Sequence, residues 1–330
     1  MGTIYASISS LGSAAPFACL AIFLLANMLV VWRLEVLSNK GVEGTVLGTL
    51  FMPFCSGLGN LVFAGVMARH PGNGNDVVVN CLFNNITNLT LLIALPVLIW
   101  GMTKIPLKKG KTAMREHQIG RLSLSLNLIA ALFFSLFLWL LSSDGILTSS
   151  DGFILISLFF FWQCFHIYDV KKTNLLKTQT YPKSLPFEVI LLLVGAGFIF
   201  ISTDWLVEWF QQLQNQPDSV IPPKLLGWGS GVLMVLPNAL LAFYYAAQKR
   251  MDIVYTSQSG DAHICIPLSI GIYAIFHPII AGTFLRQSLL VLIALCLAHL
   301  LFVVILGRLP RLFAITFLIA FGVFIWLGIA

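Results

Sequence analysis

Long apolar runs broken by short polar ones set the pattern of this chain. A window of about 20 residues, the length of helix that crosses a bilayer core, separates ten apolar segments. They run from Pro16 to Trp32, Thr45 to Val66, Val77 to Trp100, Leu122 to Leu141, Phe153 to Tyr168, Pro186 to Ile201, Leu225 to Ala247, Ile253 to Phe276, Ser288 to Leu306 and Leu312 to Leu327. Small and polar residues interrupt this pattern twice. The first interruption holds Pro53, Ser56, Gly57, Gly59 and Asn60 and continues in Asn84, Asn85, Thr87 and Asn88; the second holds Gly227, Gly231, Pro237 and Asn238 and continues in Ser259, Gly260 and Asp261. Both fall in the second and third segments of a five-segment half. Paired interruptions of this kind point to the substrate site of a secondary transporter, because a broken helix frees backbone carbonyls near the bilayer midplane. The pattern predicts an all-α membrane protein of ten transmembrane helices in two inverted five-helix repeats, with broken helices at the centre. An odd number of spans per half makes the two halves insert in opposite senses.

Composition agrees with that class. Hydrophobic residues make up 58% of the chain and charged residues 10%, where a soluble surface needs about a quarter of residues charged. The net charge of +6 does not predict a nucleic-acid partner, because the basic residues lie between spans with no interleaved aromatic groove. With the N-terminus outside, sixteen of the 19 basic residues fall in cytoplasmic connections, and Arg69, Lys224 and Arg286 remain outside. Positive residues stay on the cytoplasmic side, so both termini are expected on the non-cytoplasmic side of a multi-pass protein in the lipid bilayer. Residues 1–168 and 185–330 form the two repeats, and 169–184 is a cytoplasmic linker. Met1 to Ala15 carries no Lys or Arg and so lacks the charged start of a cleavable signal peptide, which leaves the first span in the mature protein.

Other chemistry is sparse. All six cysteines fall in expected spans without a C-x-x-C pair, so neither a disulfide nor a zinc site is expected. Two glycosylation patterns, at Asn85 and Asn88, sit at membrane depth. No nucleotide loop, His-Glu-x-x-His or Gly-x-Ser-x-Gly motif occurs, which argues against an enzyme or an ATP-driven pump; no cofactor is expected. Asp204 and Glu208, one turn apart near the outer end of the sixth span, read as structural, and His277 and His117 as solvated residues of connections.

The run Leu47-Gly48-Thr49-Leu50-Phe51-Met52-Pro53-Phe54-Cys55-Ser56-Gly57-Leu58-Gly59-Asn60 resembles the first alpha repeat of the cation/calcium exchanger superfamily, where the usual pattern is Gly-Thr-Ser-x-Pro-Glu. Asn84-Asn85-Ile86-Thr87-Asn88 is similar to that repeat's Gly-Ser-Asn-x-x-Asn segment. In the other half, Leu236-Pro237-Asn238 resembles the Pro-Glu element, and Gly260-Asp261-Ala262-His263-Ile264-Cys265 resembles Gly-Ser-Asn-x-x-Asp. The motif-bearing stretches are 47–90 and 226–267. The resemblance implies ten spans in two inverted halves, antiport of small inorganic cations by alternating access, and a cation site near the midplane.

Carried over residue by residue, the resemblance implies a site made of Ser56, Asn60, Asn84, Asn88, Asn238 and Asp261, with carbonyls from breaks around Gly57 and Val235. Exchangers of calcium place a carboxylate in each broken helix, and here Asn60 and Asn238 stand at those positions. Cys265 stands where Asp is usual. Asp261 is then the one anionic member, and the evident group to trade a proton for a cation, with His263 as a weaker candidate. Calcium takes six to eight oxygen ligands and binds less tightly as ligand charge falls, so the expected substrate is calcium, sodium or a proton. Two alternatives remain open: a degenerate homologue that binds or senses without transporting, and a transporter of a different small solute held through amide hydrogen bonds.

Overall fold

A bilayer core offers no water to backbone N–H and C=O groups, so an apolar chain within it must close its hydrogen bonds internally as helix. The computed structural model describes residues 8–39, 52–69, 71–101, 111–174, 185–214, 222, 225–306 and 309–329, and these are almost wholly helical. In chain order the helices are α1 (Ala15–Asn39), α2 (Met52–Met67), α3 (Gly74–Leu89), α4 (Leu91–Trp100), α5 (Lys111–Leu141), α6 (Ser149–Asn174), α7 (Leu185–Gln214) and α8 (Leu225–Ala247). They continue as α9 (Met251–Gly260), α10 (Gly271–Phe276), α11 (Thr283–Leu300) and α12 (Arg311–Ile329). Among the described residues, eight helical stretches are long and apolar enough to cross a membrane, and Gly57–Met67 and Ser149–Phe165 are shorter apolar helices at the second and fifth expected spans.

Burial sorts these helices into an inner and an outer set. In the apolar 18-residue cores of Gly74–Trp100 and Ile253–Phe276, 78% and 82% of the window is buried, whereas in those of Leu185–Gln214 and Arg311–Gly328 only 22% and 17% is. The outer helices turn large apolar side chains outward, among them Phe161, Leu193, Ile319 and Trp326, as a lipid-facing surface requires. The packing has a two-part regularity. α1 lies along α7 and α5 along α11; α8 packs on α3 much as the eighth-span segments pack on α2; α12 packs on α4 as α6 packs on α10.

The interruptions in the helices are not all where the sequence places them. α2 runs unbroken through Gly57, and α8 runs unbroken through Val235 and Pro237. A proline removes one N–H and frees one carbonyl, and a neighbouring helix can compensate for that without ending the helix. The expected breaks around Gly57 and Val235 are therefore absent, and among the described residues the discontinuities lie in the third and eighth spans, with a further π-type turn over Leu301–Leu306 at the end of the ninth. Thr90, at φ −112° and ψ −82°, separates α3 from α4. In the eighth span α9 ends at Gly260, a short turn covers Ala262–Ile264, and a wider π-type turn occupies Cys265–Ile270 before α10. Pro267 lies inside that turn, and such turns are frequent where a helix yields to a site.

Polar contacts tie the ends of the bundle. At one end, β1 (Ile146–Leu147) pairs antiparallel with β2 (Ile279–Ile280). There His277, although in a connection as expected, hydrogen-bonds through Nε2 with the Ala68 carbonyl (3.1 Å), and Arg286 donates to the carbonyls of Ser142 and Ser143. The Arg69 guanidinium donates to buried Asp204 at 3.0 Å, with Glu208 at 3.9 Å. Farther along the α1 and α7 pair, Arg33 stacks on Trp32 and meets Glu188 at 3.3 Å.

Candidate functional site

Four polar residues stand four apart along α3: Asp76, Asn80, Asn84 and Asn88. Residues at this spacing share a helix face, and each meets a partner on a facing element. Asp76 Oδ1 accepts the Gly227 N–H of α8 at 3.0 Å, and Asn80 Nδ2 donates to Ser230 Oγ at 3.0 Å. Asn84 Nδ2 donates to Cys265 Sγ at 3.5 Å, and Asn88 Nδ2 donates to Asp261 Oδ2 at 3.0 Å. The close approach that permits this ladder comes from glycine. A Cβ on Gly227 would stand 2.8 Å from Val79 Cβ and 2.9 Å from the Asp76 backbone, and one on Gly231 would stand 2.9 Å from Phe83.

The ladder ends in a buried cluster. Asn238 of α8 donates through Nδ2 to Asp261 Oδ2 and lies 3.5 Å from Asn88 Oδ1. Gln258, one turn before Asp261, donates to the Asn238 carbonyl at 3.4 Å. The structure thus brings Asn88, Asn238 and Asp261 together. Asn84 and Asn60 sit one turn away, both beside the Cys265 thiol. Neither end of the Asn60 amide has a hydrogen-bond partner among the described residues, and Asn84 Oδ1 also lacks one. Asn60, Asn84, Asn88, Asn238 and Asp261 are all buried. The Ser56 and His263 side chains lie outside the described residues.

The cluster has an internal symmetry. Exchanging α3 for the eighth span, with Asn84 matched to Asp261 and Asn88 to Cys265, carries the Asn84 and Cys265 contact onto the Asn88 and Asp261 contact. Buried polar groups left without partners are costly in a low-dielectric interior. Several gather on these same helices: both ends of the Asn85 amide, Thr87 Oγ1, Asn80 Oδ1 and Gln258 Oε1.

Several participants were not found from sequence: Asp76, Asn80 and Ser230 on the ladder, Gln258 beside Asn238, and Cys81, whose thiol donates to the Cys265 carbonyl at 3.5 Å. The four-residue polar period of α3 was the available signal for Asp76 and Asn80. His299 of α11 was also missed; its Nε2 lies 2.7 Å from the Leu89 carbonyl beside the Thr90 discontinuity. A separate cavity of about 450 Å³ opens among the first turns of α1 and α8 and the last turns of α7, with Phe17, Leu206, Phe210 and Leu233 on its walls. Its lining is apolar apart from Ser13 and Ser230, so the polar cluster and not this cavity is the candidate site.

These long apolar helices define a polytopic membrane protein. The model of the sodium/calcium exchanger protein family matches residues 14–168 and 187–330, and the chain belongs to that family. No curated protein matches the sequence. Among solved structures, the fold is similar to that of the sodium-calcium exchanger NCX_Mj soaked with 2.5 mM Na+ and 10 mM Sr2+. That match has a TM-score of 0.69 at 17% identity and covers 98% of this chain and 99% of that one. The same exchanger without Na+ and Ca2+ matches at a TM-score of 0.66 and 19% identity, over 94% and 97% of the two chains. At such identities the likeness establishes the fold alone.

Proposed function

We propose that this protein is a secondary active cation antiporter of ten spans in two inverted five-helix repeats. It works by alternating access around a midplane site made of Asn60, Asn84, Asn88, Asn238 and Asp261, with Ser56 as a further ligand. The observation that carries the reading is the convergence of the Asn88 and Asn238 amides on one buried carboxylate at the crossing of α3, α8 and the eighth span. The regular exchange of packing partners between the halves supports the inverted repeat. The meeting of Arg69, His277 and Arg286 at one end of the bundle supports the assignment of that end, and of both termini, to the non-cytoplasmic side. Asp76, Asn80 and Asn84 lead from that end to Asp261 and provide the access route.

The amide geometry suggests how coupling works. Without a cation, two N–H donors satisfy the Asp261 carboxylate; with one, each amide turns its oxygen toward the ion and the carboxylate is neutralised by charge. A carboxylate whose charge is not neutralised is costly at this depth, and amide donors leave that charge in place, so the carrier switches only when Asp261 holds a cation or a proton. Calcium, sodium and protons are the proposed substrates. The test is gradient-driven uptake of calcium, sodium, potassium and manganese into proteoliposomes, with Asp261→Asn and Asn238→Ala in parallel. Flux should fall strongly in both variants, and whatever flux Asp261→Asn retains should be independent of pH. An unchanged pH profile in Asp261→Asn would remove the proton-trading role.

Absence of flux for every cation would favour a non-transporting binder or a carrier of another solute. The observation favouring that second reading is the replacement of both repeat carboxylates by Asn60 and Asn238.

A further inference from the structure

Cys265 is buried at the centre of the cluster, in a position the hard-cation reading leaves unused. Asn84 Nδ2 points at its sulfur from 3.5 Å. The wholly buried Asn60 amide stands beside it with both ends unpartnered. Asp261 lies one helical turn earlier within electrostatic reach, and Cys81 lies close by with its thiol turned to the Cys265 carbonyl. Two amides that can each present an oxygen and one carboxylate thus stand within reach of one buried thiol. We propose that Cys265, with the amide oxygens of Asn60 and Asn84 and the carboxylate of Asp261, binds a thiophilic divalent cation of the zinc and cadmium type in preference to calcium.

The chemistry follows from ligand softness and charge. A thiolate favours soft or borderline metals, whereas carboxylate and carbonyl oxygens alone favour calcium and magnesium. On binding, the Cys265 S–H bond breaks, a sulfur–metal bond forms and the proton leaves to solvent, as metal sites built on thiols require. Thiolate and carboxylate together then carry two negative charges, matching the divalent ion, where Asp261 alone carries one. The cysteine spacing along the chain gives no hint of this, because the ligands come from α2, α3 and the eighth span. The inference rests on reading the cluster as a cation site and deepens it by naming the class of cation.

The experiment is a cadmium titration of the purified protein in detergent, in a Cys55→Ser/Cys164→Ser background that removes the one thiol exposed among the described residues and the one whose side chain lies outside them, following the ultraviolet sulfur-to-cadmium charge-transfer band. The expected result is a saturable band near one equivalent that calcium displaces only at about tenfold or greater excess. The band should vanish in Cys265→Ser and persist in Cys81→Ser. In Cys265→Asp the band should vanish while calcium binding tightens, because the site gains a second hard carboxylate. No band in the starting protein, or a band that survives Cys265→Ser or is lost in Cys81→Ser, overturns the assignment. Should Cys265→Ser fail to fold, cadmium-dependent protection of Cys265 from alkylation in the unmutated protein decides the question, and absence of protection overturns it. Sodium or calcium flux without the band would sink this inference alone; a band without flux of any cation would sink the antiporter reading alone.

Discussion

Replacing Gly231 by Ala tests whether the seam between α3 and α8 sets the geometry of the site. The new Cβ would lie 2.9 Å from Cβ, Cγ and Cδ1 of Phe83, well inside the 3.5–4.0 Å optimum for carbon pairs. Phe83 cannot swing aside easily. Its ring packs on Trp228 at 5.6 Å and on Phe321 and Phe324 at 6.3 Å. Overpacking of this kind costs about 1–3 kcal/mol, offset by about 0.5–1 kcal/mol that alanine gains over glycine within a helix. The net expectation is a loss of about 0.5–2 kcal/mol, or a fall in Tm of about 1–4 °C for a chain of this size. Gly197, on the exposed face of α7, is the control, because its added Cβ meets nothing within 4 Å; Gly197→Ala should be neutral or slightly stabilising. Tryptophan fluorescence of the purified protein during heating measures both. The double variant with Phe83→Leu should recover part of the loss, since residues in contact couple energetically. If Gly231→Ala matches or exceeds the unmutated protein in stability, or Gly197→Ala falls by as much, close helix approach is not what those glycines provide.

Three further outcomes are expected. Arg33→Ala strips a partner from buried Glu188 and should cost about 3–5 kcal/mol, whereas Arg69→Ala, whose side chain is 46% exposed, should cost about 1 kcal/mol; equal losses in thermal unfolding would contradict the difference in burial. His299→Phe keeps a ring against Tyr255 and Phe317 but removes the donor to the Leu89 carbonyl, for a loss of about 1–3 kcal/mol, and hydrogen exchange around Thr90 should accelerate. Asn88→Leu should abolish cation binding by isothermal titration while leaving the protein monodisperse, since it removes an amide whose oxygen the bound cation would take.

The sequence made the class and most of the span positions readable because lipid imposes a length and a composition on every crossing helix. The polar residues inside the spans also stood out, because such side chains are rare there, and three of them, Asn88, Asn238 and Asp261, do meet. What each residue touches was not readable. Glycine and proline near Gly57 and Pro237 suggested breaks there, yet those helices continue. The discontinuities instead fall at Thr90, which carries no strong breaking residue, and at Cys265–Ile270, where Pro267 is one signal among several. A helix breaks where tertiary partners take over its freed groups, as His299 does for Leu89, and that information lies more than two hundred residues away along the chain. The partners of Asn84 and Asn88 were hidden for the same reason, since both are some 173 to 181 residues distant.

The pairing pattern also bears on how one carboxylate can serve where the family's pattern has more. In the symmetric exchange of the two halves, Asn84 is the counterpart of Asp261 and Asn88 the counterpart of Cys265, so charge sits at only one of two equivalent positions. The two amides that converge on Asp261 come from both halves, Asn88 from the first and Asn238 from the second. On the proposed mechanism, moving one half against the other changes the coordination of that single carboxylate. In a site with a carboxylate from each half, the ion itself holds the halves together through charge. Here the halves are held through amide hydrogen bonds to one charge, each worth about 1.5–3 kcal/mol. An ion that displaces those donors must replace what they contribute, which favours a strongly binding divalent or thiophilic cation over a weakly held monovalent one.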